Sequence, residues 1–166
     1  MFQTFAAASF QSIWYWVLHV VVWTLACYRT LGVPHDMLLR ARRLPEVSAR
    51  VDTLARLTSE RVGGIYDAMG VPIAAGLGFV LAGLFALGFG TGIEAAQAAF
   101  AIVLPLVVIN YSKLRLALAV RRHGIAGPRL VLALARRRVW HQLIAVVAML
   151  GAAAVALSLH AGVPAP

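Results

Sequence analysis

The sequence predicts an all-α polytopic membrane bundle of about four transmembrane helices, with amphipathic helices in its cytoplasmic loops. Three observations lead there. Hydrophobic residues make up 61% of the 166-residue chain and charged residues 13%, against roughly 45–50% and about 25% in soluble domains. A soluble domain of this size has too little interior to hide so much apolar side chain. Four apolar stretches approach the roughly 20 helical residues needed to cross a hydrocarbon core about 30 Å thick. The fifteen Lys and Arg residues fall in only two of the segments around those stretches.

The first span is expected at about residues 13–31, the second at 68–89, the third at 95–111 and the fourth at 139–159. Helix is required because a lipid-facing backbone must satisfy its own hydrogen bonds. The first stretch does not read as a signal peptide, which opens with positive charge. Residues 1–28 contain no Lys or Arg, and positive charge begins at Arg29. That order marks a retained helix with its C-terminal end in the cytoplasm.

Seven basic residues lie from Arg29 to Arg61 and eight from Lys113 to Arg138, with none in the N-terminus, the Gly90–Gly92 turn or the tail. This alternation is the positive-inside pattern. It predicts cytoplasmic loops over about 32–67 and 112–138, with both termini on the periplasmic side of a bacterial inner membrane. It also accounts for the pI of about 11.3 without a nucleic-acid partner. Extended to Asp67, the first basic segment carries five acids and nets +2, whereas the second carries none and nets +8. The first suits a protein partner of mixed charge. The second suits anionic lipid headgroups, where each basic residue contributes about 1 kcal/mol, with Arg136, Arg137 and Arg138 as the candidate contacts.

Within the first loop, Leu44, Val47, Val51, Leu54, Thr58, Val62 and Ile65 recur at spacings of three or four, a helical apolar stripe. With Pro45 suited to a first helical turn, the stripe predicts an amphipathic helix over 45–67. It runs into the second span and bends or breaks at Gly63-Gly64. In the second loop, Gly127-Pro128 opens a short helix over 129–138, with Leu130, Val131 and Leu134 on one side. The short connection between spans two and three predicts a tight antiparallel hairpin.

Gly70, Ala74, Gly78, Ala82, Ala86 and Gly90 repeat every four residues along span two. Such a ridge lets helix backbones approach closely, within the chain or against a second copy or another subunit. Ala148, Ala152 and Ala156 form a shorter ridge on span four. Phe2, Phe5, Phe10, Trp14, Tyr15 and Trp16 gather at the outer edge of span one, where amphipathic rings form an interfacial belt. His19 is the candidate intramembrane polar residue. Polar groups at depth are costly and usually partnered, so an interhelical hydrogen bond is expected.

Little else carries chemistry. No metal ligand set or cofactor is indicated. Cys27 alone supports neither a disulfide nor a cluster or zinc site. Among the five histidines no two match in depth as a haem pair requires, His19 and His160 coming nearest. There is no phosphate-binding G-x-x-x-x-G-K-[ST] loop, no H-E-x-x-H pair and no G-x-S-x-G elbow. No acidic residue lies mid-span to relay protons. An enzyme is not expected.

The run IWYWVLHVVVWTLACYRTLGVPHDMLLRARR, Ile13 to Arg43, resembles small bacterial inner-membrane proteins that go under the name "component of SufBCD complex". The shared features are the WYW start, the VVW centre, the Leu-Gly-Val-Pro turn and the closing Arg-Ala-Arg-Arg, with His35 in an aromatic place. The resemblance covers about a fifth of the chain and implies an association with iron–sulfur cluster assembly. No site residues transfer with it. In its turn, Gly32 is placed to end the first helix, Pro34 to prevent its resumption, and Asp36 to cap a following helix bearing Arg40, Arg42 and Arg43. Those four charged residues are the candidate docking site for a soluble partner. The expected function is a non-enzymatic anchor, scaffold or assembly subunit. The alternative is a transport or cofactor-bearing subunit centred on His19.

Overall fold

A computed structural model describes residue 10 and residues 12–161, with side chains described as far as Ser158. The elements are helix α1 (Ile13–Tyr28), strands β1 (Arg29–Thr30) and β2 (Val33–Pro34), helix α2 (His35–Ala41), helix α3 (Pro45–Phe85) continued by a π-helical turn (Ala86–Gly90), helix α4 (Glu94–His123) and helix α5 (Gly127–Ala161). Among the described residues the protein is all-α apart from one antiparallel ribbon, in which Arg29 faces Pro34 and Thr30 faces Val33.

Among the described residues, three helices are long and apolar enough to cross a membrane: Pro45–Gly90, Glu94–His123 and Gly127–Ser158, of 46, 30 and 32 residues. At 1.5 Å per residue these are about 69, 45 and 48 Å long, so each outruns a hydrocarbon core of about 30 Å. The fourth apolar helix, α1, has 16 residues and a length of about 24 Å. It ends at Tyr28, three residues short of the expected limit, because the chain turns at once into the ribbon.

The ribbon explains the Leu-Gly-Val-Pro turn. Leu31 and Gly32 form its two-residue loop with φ of 50° and 74°. Positive φ at both positions is the turn that matches the twist of a hairpin. A Cβ on Gly32 would also lie 2.7 Å from the Thr58 hydroxyl oxygen on α3. Gly32 therefore serves the hairpin rather than the end of α1. Asp36 does not cap α2 as expected: Pro34 holds the cap position without a side-chain bond, and Asp36 lies in the first turn, where its charge complements the helix N-terminus.

The regions expected as loops are largely continuations of the long helices. α3 begins with Pro45 in its first turn and passes unbroken through Gly63-Gly64 and Pro72. No interruption occurs at the two glycines: Gly63 is itself the last buried residue of the packed face, and the helix runs on from it into an exposed length. Its buried stripe is Val51, Ala55, Ser59 and Gly63, flanked by the half-buried Val47, Leu54, Thr58 and Val62, while Leu44 and Ile65 are exposed. Burial of a continuous face outweighs the poor helix propensity of glycine. α4 runs past Tyr111 to His123 and ends at Gly124 in the left-handed conformation. Only residues 124–126 are non-helical before α5. Leu38 of α2, Val51 and Ala55 of α3, Leu116 and Val120 of α4, and Leu130 and Leu134 of α5 close one core with Leu31 and Val33 of the ribbon. This basic end of the molecule is a folded head.

At the apolar end, α1 turns Tyr15, His19 and Trp23 inward. Tyr15 packs with Ala98 and Ala152, and Trp23 with Ile109, Ala145 and Ala148. The Ala148–Ala152 ridge of α5 is thus covered by aromatic rings of the same chain. The expected belt divides: Trp14 is exposed, while Phe10 and Tyr15 are buried, and Phe2 and Phe5 lie outside the described residues.

The ridge on α3 behaves differently. Residues 71–80 are all exposed, and no atom outside the local helix lies within 4 Å of where a Cβ on Gly78 would sit. Ala82 and Ala86 are exposed as well. α3 meets α4 closely in the head and again at the hairpin end. There the buried Gly88 brings its backbone against α4, and Gln97 Nε2 donates to its carbonyl at 2.7 Å. A Cβ on Gly88 would lie 2.9 Å from Gln97 N and 3.2 Å from Ala96 C. Gly88→Val is predicted to destabilise the protein by about 2–3 kcal/mol through overpacking against backbone. Gly78→Ala, in open space, is predicted to be neutral. Thermal unfolding of the two purified variants against the parent checks both, and equal melting temperatures for all three would refute the close approach.

Candidate functional site

The described residues bring three groups of functional side chains together. The first is a junction between the apolar end and the head. The last carbonyls of a helix have no partner within it, and α1 has no basic residue in its own last turn. Its neighbours supply the donors: Lys113 Nζ of α4 donates to the Ala26 carbonyl at 2.8 Å, and Arg138 Nη1 of α5 to the Tyr28 carbonyl at 3.4 Å. Arg137 Nη1 donates to Ser112 Oγ at 2.8 Å, and the fully buried His141 approaches the same hydroxyl through Nε2 at 3.3 Å. Of the three arginines expected at lipid headgroups, only Arg136 is exposed, while Arg137 and Arg138 turn toward the bundle.

Two more contacts tie the head. Both carboxylate oxygens of Asp52 accept the Gly127 amide of α5, at 2.8 and 3.0 Å, a cap supplied from α3 across the core. Arg121 of α4 crosses Gly63 of α3 and pairs with Asp67 at 2.7 Å, the one ion pair among the described residues. The candidate docking residues Asp36, Arg40, Arg42 and Arg43 are exposed on the head, beside the exposed Leu39 and Leu44.

The second group is a groove of about 1290 Å³ between α3 and α4. Ile73, Ala74, Leu77, Gly78 and Leu81 of α3 and Val107 of α4 line its apolar length, and Arg29, Thr58, Asp67, Asn110, Tyr111 and Lys113 lie toward the head. Three positions of the small-residue ridge, Gly70, Ala74 and Gly78, therefore face this groove.

The third is His19. Its ring is 0% exposed, and neither nitrogen has a hydrogen-bond partner among the described residues. The expected interhelical hydrogen bond is not made among them. The rings of Tyr15, Trp16 and Trp23 stand 5.0, 5.9 and 5.8 Å from it. The helices facing the turns before and after it present alanines, which offer no side-chain donor or acceptor. Trp16 Nε1 bonds to the Phe10 carbonyl at 3.0 Å, and the Phe10 amide to Glu94 Oε1 at 2.8 Å, closing the box around Tyr15. Among the described residues no three His, Cys, Asp or Glu side chains are grouped to hold a metal ion. The side chain of His160, the nearest haem partner by depth, lies outside those described.

Sequence reasoning counted Lys113 among the basic residues of the second segment and missed its role at α1. The signal was present: a cation on one helix at the level where another ends without one. Nothing local marked Asp52, since its partner is 75 residues away.

These features define an all-α protein with three helices able to cross a membrane and a folded basic head. Compared with protein-family models, curated proteins and solved structures, the chain matches none.

A buried, unpartnered imidazole costs about 1–3 kcal/mol relative to a satisfied one. His19→Phe, which keeps an aromatic ring in the box, is predicted to raise stability by about 1 kcal/mol, read as a higher melting temperature of the purified protein. A fall would show that His19 has a bonding partner in the membrane.

Proposed function

We propose that the protein is a non-enzymatic subunit of a bacterial inner membrane, holding a folded cytoplasmic platform on which a partner protein docks. The observation that carries this reading is the shared core of the head. Helices α3, α4 and α5 continue beyond their apolar lengths and close on Leu38, Leu116, Leu130 and Leu134 with the ribbon and α2. An anchor alone needs no such core, whereas a docking surface gains from being held rigid before binding.

The retention of all basic residues at this end supports a cytoplasmic placement. On that reading α1 is a fourth, short crossing, and its length of about 24 Å suits local thinning of the bilayer around it. The Leu39–Leu44 corner joins arginines to exposed leucines, a composition that fits a protein interface, where Arg is enriched. The resemblance of residues 13–43 supports a partner connected with iron–sulfur cluster assembly.

Topology is tested by thiol labelling in a Cys27→Ser background. Glu60→Cys should react with an impermeant reagent only after the inner membrane is opened, and Thr91→Cys before. The reverse order would overturn the orientation. Docking is tested by purifying the tagged full chain from native membranes. Exchange of Leu39, Arg42, Arg43 and Leu44 for serine is predicted to lower the co-purified partner at least tenfold, a loss of about 1.4 kcal/mol or more, at unchanged protein level. Undiminished recovery of the partner would remove this corner from the interface.

A further inference from the structure

The groove between α3 and α4 is larger than a packing defect or a typical small-molecule pocket. Its 1290 Å³ exceeds the roughly 300–1,000 Å³ of drug-sized sites. Its chemistry changes along its length. At one end it is walled by Leu77, Gly78, Leu81 and Val107, and at the other it meets Arg29 and Lys113. The apolar part lies in the stretches of α3 and α4 that are apolar enough to cross a membrane. The polar part lies where the head begins. An occupant must therefore be apolar for most of its length and anionic or strongly polar at one end.

The charges decide between those two ends. Asp67, the one acidic residue lining the groove, is already paired with Arg121. Arg29 is exposed, lies against the Tyr28 ring at 5.7 Å, and has no carboxylate partner among the described residues. Lys113 adds a second positive charge while donating to the Ala26 carbonyl. The mouth is thus net positive and complementary to an anion. A transmembrane helix is the other apolar occupant to weigh, since Gly70, Ala74 and Gly78 lie on the wall. The Tyr66 ring lies across the first of them, however, 3.0 Å from where a Cβ on Gly70 would sit. That ring blocks the close backbone approach of a second helix at Gly70, where the groove meets the head, whereas a flexible acyl chain bends past it.

We propose that this groove binds one anionic phospholipid, its acyl chains between α3 and α4 and its phosphate at Arg29 beside Lys113. The lipid fills the space that separates the exposed middle of α3 from α4 and so acts as a structural part of the bundle. The site is independent of the docking corner on the head.

The test is native mass spectrometry of the full chain, exchanged in mild detergent into an equimolar mixture of phosphatidylglycerol and phosphatidylcholine. The expected result is one retained phosphatidylglycerol, preferred about fivefold, the ratio that corresponds to about 1 kcal/mol for one basic residue at an anionic headgroup. Arg29→Gln should bring the two lipids near parity. Ala74→Leu with Gly78→Leu, both at exposed positions, should abolish retention in a chain still recovered folded. No retained lipid, equal retention of the two lipids by the parent, or full retention by the double variant would each overturn the proposal. So would a second polypeptide or a second copy appearing in place of lipid, which assigns the groove to a helix. Should the double variant fail to fold, an unchanged lipid preference in Arg29→Gln overturns it alone.

Discussion

The unfinished C-terminal end of α1 is the constraint around which the rest of the molecule is arranged. A helix that stops at Tyr28 leaves carbonyls without partners, and the ribbon that follows cannot reach back to them. Lys113 and Arg138 reach in from two other helices, and cations at a helix C-terminus gain from its dipole as well as from the hydrogen bond. Because the donors come from α4 and α5, satisfying α1 also fixes the register of three helices at one level. The ribbon, the mouth of the groove and the start of the head all lie at that level.

From there the head follows with few further requirements. Once α3, α4 and α5 are held at the junction, their continuations are close enough to share a core, and the apolar faces of Val51, Leu116 and Leu130 have no reason to lie elsewhere. Asp52 then closes the α4–α5 connection by capping α5 from outside. A surface ion pair such as Arg121–Asp67 contributes little, typically below about 1 kcal/mol, so the head rests on its apolar core and on Asp52. That shared core is the feature on which the proposed docking platform rests.

Much of this was legible in the sequence, and the parts that were not share a cause. Hydropathy alone gave the long apolar helices, the hairpin at Gly90–Gly92 and the helical character of residues 45–67 and 129–138. What it missed depends on contacts distant in sequence. Gly63-Gly64 reads as a break, but Gly63 ends the packed face of Val51, Ala55 and Ser59, lies under Arg121 of α4, and stays helical. The Leu-Gly-Val-Pro run reads as a helix stop and cap, but the fit of Gly32 under Thr58 makes it a hairpin. Arg137 and Arg138 read as lipid contacts in a basic loop, but the neighbouring Ser112 and Tyr28 draw them inward. Periodicity reports which face is apolar. It does not report what that face meets.

The two ridges of small residues show the same limit most clearly. Ala148 and Ala152 on α5 and Gly70, Ala74 and Gly78 on α3 have the same spacing and the same meaning in sequence. One is covered by Tyr15 and Trp23, because α1 brings large rings that fill the shallow face. The other is not, because the element facing it is α4, held away at mid-length while touching at both ends. Val71 and Phe79 are 83% and 81% exposed on the same helix, which is no penalty against acyl chains. A small-residue face opposite a gap, by contrast, forfeits dispersion contacts on both walls unless something fills it. In a bilayer the filler nearest to hand is lipid, and the exposed positive charge of Arg29 at the mouth favours the anionic kind.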